Sequence, residues 1–92
     1  MKLYKSIDVW KKIHDTKAIR FRCFQIGEDA AYCVQSADIF SYPLDKNRIV
    51  YLERQYIELF LEESPDKRNQ VFSTLEEAIK VHEEEFGEYG YE

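Results

Sequence analysis

The chain reads as a small α+β domain in two layers, with an N-terminal helix, a β-hairpin and two further helices packed on the hairpin. Three observations predict this. Ile19, Phe21 and Cys23 alternate with Arg20 and Arg22 as in a half-buried strand. Gly27-Glu28-Asp29 then gives a turn signal before a second run of strand formers, Ala31-Tyr32-Cys33-Val34-Gln35. Beyond Pro43, apolar residues return at spacings of three and four.

Taken in order, Ser6 is a candidate N-cap, with Asp8 in the first turn. Leu3, Ile7, Trp10 and Ile13 or His14 follow at helical spacing, so a short helix is expected over about 6–15. The hairpin is expected over about 18–38. Its register has two solutions: a three-residue turn sets Cys23 opposite Cys33, whereas a two- or four-residue loop sets Cys23 opposite Val34, with the thiols on opposite faces.

Pro43 disfavours helix at Tyr42, and Asp45 can cap a new helix after it. From Lys46 to Glu63 there is no Gly or Pro, and Ile49, Leu52, Tyr56, Leu59 and Phe60 share one side of a helical wheel. The competing pattern is a third strand at 56–62, with Ile57, Leu59 and Leu61 facing inward. Ser64-Pro65-Asp66 ends the element, and Val71-Phe72 reads as a short extended piece. Ser73 and Glu76 have capping-box spacing before a last helix whose stripe is Leu75, Ala78, Ile79, His82 and Phe86. Gly87 is its expected stop, and residues 87–92 are expected to fray as an acidic tail.

A chain of 92 residues leaves room for one domain, 1–92, and 45% hydrophobic residues with seven Tyr and six Phe can furnish its core. Neither an apolar run of signal-peptide length nor one of membrane-spanning length occurs in the sequence. Two isolated cysteines suggest reduced thiols and a cytoplasmic setting. The net charge of −5 is unevenly spread: residues 1–25 hold seven basic and two acidic groups, and residues 26–92 hold six basic and sixteen acidic groups. That distribution makes nucleic acid an unlikely general partner but leaves a local basic patch.

Chemistry-bearing residues are sparse. Cys23 and Cys33 are a candidate thiol redox pair or half of a metal site, set against the ordinary behaviour of free Cys as a small buried hydrophobe. His14-Asp15 could orient a general base, and His82 with Glu85 has one-turn spacing, yet neither belongs to a fuller ligand or catalytic motif. Lys17, Arg20 and Arg22, with Phe24 nearby, could contact single-stranded nucleic acid by phosphate pairing and stacking; the plainer reading is a solvated strand face. Glu83, Glu84, Phe86 and Tyr89 combine acidity with spaced aromatics and could meet a basic, partly apolar protein surface. Tyr51 and Tyr56 are candidates for a contact between copies.

The expectation is therefore a non-enzymatic cytoplasmic interaction, regulatory or accessory module with a protein partner, no cofactor and no metal. Single-stranded nucleic-acid binding is the alternative, and a thiol or metal site the second alternative.

Overall fold

A computed structural model describes residues 2–86. Three antiparallel strands come first: β1 (Tyr4–His14), β2 (Lys17–Ile26) and β3 (Tyr32–Ser41), adjacent in that order. Three helices follow: α1 (Lys46–Glu62), α2 (Pro65–Arg68) and α3 (Leu75–Phe86). None of the described helices is long and apolar enough to cross a membrane.

The N-terminal helix expected over 6–15 is a strand instead. Ile7, Val9 and Ile13 are β-branched and sit on odd positions, whereas Ser6, Asp8, Trp10 and Lys12 sit on even ones. That period of two outweighs the i, i+3 coincidence of Leu3, Ile7, Trp10 and Ile13, because branched side chains fit a pleated sheet better than a helix. β1 pairs with β2 in a register that sets Ile7 opposite Cys23 and Val9 opposite Phe21. The third strand is therefore N-terminal, and residues 56–62 belong to α1.

β2 and β3 form the hairpin at the expected place. Ile26 N–H donates to the Ala31 carbonyl at 2.9 Å and closes a four-residue loop, in which Gly27 supplies a φ of 64°. Of the two registers, the structure takes the one with Cys23 opposite Val34. A β-bulge follows, because Arg22 pairs with Ser36 and leaves Gln35 unpaired in the ladder. Gln35 instead accepts a 2.6 Å hydrogen bond from Asn69 Nδ2.

The two layers expected become three, because α1 and α3 lie on opposite faces of the sheet and not together on one. α1 lies over the even-numbered face of β2, where Tyr56 stacks on Phe24 with ring centroids 5.4 Å apart. Asp45 caps it, accepting from the N–H groups of Asn47 and Arg48 at 2.9 and 3.3 Å. α2 closes one end of the sheet, with Pro65 buried and Asp66 accepting from Tyr4 Oη at 3.0 Å. The chain then crosses the edge of β3, where Tyr32 and Phe72 exchange two backbone hydrogen bonds of 2.8 Å.

Having crossed, α3 packs its Leu75, Ala78 and Ile79 on the other face, against Ile19, Phe21, Cys23 and Val34. Its capping side chain is Thr74, which accepts from Glu77 N–H at 3.1 Å, one residue later than the Ser73 cap expected. Both faces of β2 carry groups that water cannot be left to cover, and a single helical layer would have left one face open.

Candidate functional site

Arg20 and Arg22, placed by sequence on a basic strand face, lie beneath α1 and are only 9% and 7% exposed. Arg20 Nη2 donates to Asp38 at 2.9 Å, and Arg22 Nη1 donates to Glu53 of α1 at 2.7 Å. Asp8 from β1 lies 3.4 Å from Arg22 Nε, and Glu53 also lies 3.7 Å from Arg20 Nη1. Aromatic rings border the cage: the Arg22 guanidinium lies 3.8 Å from the Tyr56 ring centre, and that of Arg20 lies 5.0 Å from the Phe40 and 5.7 Å from the Trp10 ring centre. Burial raises the Tyr56 phenol pKa, although its 2.7 Å hydrogen bond with Ser6 Oγ opposes this. A phosphate could reach these arginines only by displacing α1 and breaking their carboxylate pairs.

The two thiols lie on opposite sides of the sheet. Cys23 is buried with the α3 core, and burial pushes its thiol up to about 12, with Cys33 and Asp8 adding to the rise. Cys33 packs with Phe24 and Ile26 under α1 and is also raised, again chiefly by burial. Thiols held protonated and out of solvent are poor nucleophiles. Among the described residues, no three His, Cys, Asp or Glu side chains converge as a metal site.

Nor are the histidines brought together with those thiols. His14 Nδ1 lies 3.2 Å from Thr16 Oγ1 and accepts from Thr16 N–H at 3.3 Å, an arrangement internal to the β1–β2 turn. His82 packs edge-on to Phe21, and burial lowers its pKa against the opposing pull of Glu85 and Glu83. Of the acidic candidates, Glu83 accepts from Lys11 Nζ at 2.7 Å, whereas Glu84 and Phe86 are exposed at the end of α3. Tyr89 lies outside the described residues. Tyr51 faces outward from α1, whereas Tyr56 faces the sheet.

The surface that sequence reasoning missed is a groove of about 280 Å³ at the β1–β2 turn end of the sheet, which no residue of α1 lines although Arg48 reaches the back of Phe40. Ala18 forms its floor, because in the β-register it sits between Lys12 and Phe40 and has too small a side chain to fill the gap. Trp10 and Phe40 touch each other, with ring centroids 5.7 Å apart, and form one apolar wall that Tyr42 and Leu44 extend along the connection to α1. Trp10, Tyr42 and Leu44 remain 57%, 70% and 58% exposed. Lys12, His14, Asp15 and Lys17 complete the lining, so an apolar trough is bordered by mainly basic groups.

Reading residues 6–15 as a helix hid this groove, since only a strand at β1 aligns Trp10, Ala18 and Phe40 across one face. Compared with protein-family models, with curated proteins and with solved structures, the chain matches none.

Proposed function

We propose that this domain is a protein-docking module that receives, in the Trp10–Phe40–Tyr42–Leu44 groove, a short partner segment with an apolar anchor flanked by Asp or Glu. One observation carries the reading: large apolar side chains stand exposed together around a floor made shallow by Ala18. Clustered exposed aromatics are costly to leave in water and are enriched where proteins meet. Lys12 and Lys17 on the lining, within a segment of net positive charge, favour an acidic flank on the occupant. The groove holds two lysines and no arginine beside Leu44 and Ala18, so its chemistry suits an apolar anchor better than a run of phosphates.

The test uses Trp10, the one tryptophan of the chain, as its own reporter. Selection of random twelve-residue peptides on immobilised protein should enrich an aromatic or aliphatic residue next to Asp or Glu. Titration of an enriched peptide should shift Trp10 emission to the blue. Tyr42→Ala and Leu44→Ala should each weaken binding at least about tenfold, roughly 1.4 kcal/mol. Enriched peptides that bind equally well to both variants would count against the groove. Oligothymidylate that binds more tightly than any selected peptide would replace this reading with a nucleic-acid one.

A further inference from the structure

The two edges of the sheet are finished differently. Along β3, Tyr32 exchanges both backbone hydrogen bonds with Phe72, and the Ile39 carbonyl accepts from Arg48 Nη1 at 2.7 Å. Along β1, no strand or helix among the described residues pairs with the outer side. Gly27 N–H donates to the Leu3 carbonyl at 2.7 Å, which makes the odd-numbered residues of β1 the ones bonded to β2. The even-numbered residues Tyr4, Ser6, Asp8, Trp10 and Lys12 therefore turn their N–H and C=O groups outward. An uncovered edge on an 11-residue strand is a template for another strand.

We infer that its occupant is β1 of a second copy of this chain, run antiparallel about a two-fold axis so that two three-stranded sheets become one of six strands. Parity and charge select the register. Outward-facing residues pair only with outward-facing residues, so even numbers meet even numbers. With the axis at Trp10, Asp8 faces Lys12 of the second copy, and symmetry makes that ion pair twice. Half-buried Ile7 meets Ile13 of the second copy on the α3 side, and the bulge between Lys12 and His14 ends the pairing.

Competing registers are poorer. An axis at Asp8 sets that carboxylate against its own copy and, twice by symmetry, Lys5 against Lys11, three like-charge oppositions that disfavour pairing. An axis at Val9 sets Asp8 opposite Trp10 and gains no ion pair. The strand is thus self-complementary in one alignment, and its lysine becomes a means of fixing register.

Register-specific cross-linking tests this. In the chosen alignment the two Trp10 Cα atoms would lie about 5.5 Å apart, within the span of a disulfide. Trp10→Cys should therefore give a covalent dimer under mild oxidation, at least about tenfold faster than Ser6→Cys, whose copies would stand about 26 Å apart. Cys23 and Cys33 are buried and should contribute no cross-link. Independently, Lys12→Glu alters an exposed side chain and sets two like-charge pairs against Asp8, so it should raise the dimer dissociation constant at least about tenfold in sedimentation equilibrium. That second variant carries the test if Trp10→Cys does not fold.

A wild-type chain that stays monomeric to millimolar concentration overturns the inference, as does equal cross-linking at positions 6 and 10. A dimer indifferent to Lys12→Glu but lost on Ile57→Lys would also overturn it, by moving the contact to the outer side of α1. Trp10 and Lys12 belong to both the docking groove and the dimer edge, whereas Tyr42 and Leu44 line only the groove. Peptide binding lost in Tyr42→Ala and Leu44→Ala with the dimer intact, or a dimer lost in Lys12→Glu with the groove variants unaffected, therefore tells the failure of one proposal from that of the other.

Discussion

The two faces of β2 are built from opposite chemistry on one ten-residue strand. Odd positions Ile19, Phe21 and Cys23 join an apolar core sealed by Ala78 and Ile79 of α3. Even positions Arg20 and Arg22 form a caged ion network sealed by Glu53 and Tyr56 of α1. The α3 face is stabilised by removal of apolar surface from water, which tolerates imprecise partners of the right volume. The α1 face holds charges out of water, which is favourable only while each partner stays in place. Hence the former should be robust in its chemistry and sensitive to volume, and the latter the reverse.

Substitutions at neighbouring positions separate these cases and carry the largest expected effects. Phe21→Ala should cost about 3–5 kcal/mol through lost burial and the cavity left behind. Arg20→Leu keeps bulk but strands Asp38, whose side chain is only 9% exposed, and should cost about 3–5 kcal/mol. The distinguishing measurement is rescue: Asp38→Leu should restore most of the loss in Arg20→Leu and none of that in Phe21→Ala. A double-mutant cycle by urea denaturation reads this directly. Additive losses for Arg20→Leu and Asp38→Leu would mean the two side chains act independently, and the contrast between the faces would collapse.

The cysteines sharpen the same contrast at smaller scale. Cys23 sits in the apolar core, and its Sγ has only a long 3.7 Å contact with the Phe21 carbonyl. Cys33 lies near the Pro65 carbonyl at 3.8 Å and near Asn69 Nδ2 at 4.0 Å, so polar partners are already at hand. Cys23→Ser should therefore cost about 1–3 kcal/mol for a buried hydroxyl without a well-placed partner. Cys33→Ser should cost less, since Asn69 can donate to the new hydroxyl. In the native protein both thiols should resist an aromatic disulfide reagent at pH 8 and react fully in denaturant. Equal losses for the two serine variants would count against the assignment of one thiol to each face.

Much of this arrangement was legible in the sequence, and the errors have a common cause. The β2–β3 hairpin and the helix at 75–86 show their periods plainly and Asp45 is a clear cap, whereas 56–62 fits both a helix and a strand and only the structure assigns it to α1. β1 is ambiguous in sequence because Leu3, Ile7, Trp10 and Ile13 fit a helical wheel as well as Ile7, Val9 and Ile13 fit a strand. Local propensity decides little over ten residues when both patterns hold; the choice falls to pairing with β2, which is a long-range contact. Without β1 as a strand there is no partner for Arg22 at Asp8, no apolar wall of Trp10 against Phe40, and no second face requiring a helix. Arg20 and Arg22 looked like a solvated stripe because charge on a strand usually faces water. Nothing nearby in sequence signals that Asp38 and Glu53 will cover them.

The smallest expected effect concerns pH, and it lies on the α3 face. Burial against Phe21 and Phe86 lowers the His82 pKa from its ordinary 6.5, while Glu85 and Glu83 pull the other way. Glu83 is itself engaged by Lys11, so part of its pull is already spent. Because the folded state holds the imidazole neutral more firmly than the unfolded state does, the unfolded chain binds the proton first as pH falls. His82 therefore leaves stability unchanged well above pH 6.5, subtracts from it as pH drops through that value, and adds no further loss below the depressed folded pKa. Asp66 titrates separately: its hydrogen bond from Lys2 lowers its pKa below 3.8, so its contribution is lost only in more acidic solution. Replacing His82 with Phe keeps a ring between Phe21 and Phe86 and removes the proton. The variant and the wild type should then share one urea-midpoint profile in shape well above pH 6.5, and diverge as pH falls below 6.5 with the wild type falling faster. Parallel profiles throughout that window would mean that His82 is protonated as readily in the folded chain as in the unfolded one, and that the α3 face is wetter at its end than its packing implies.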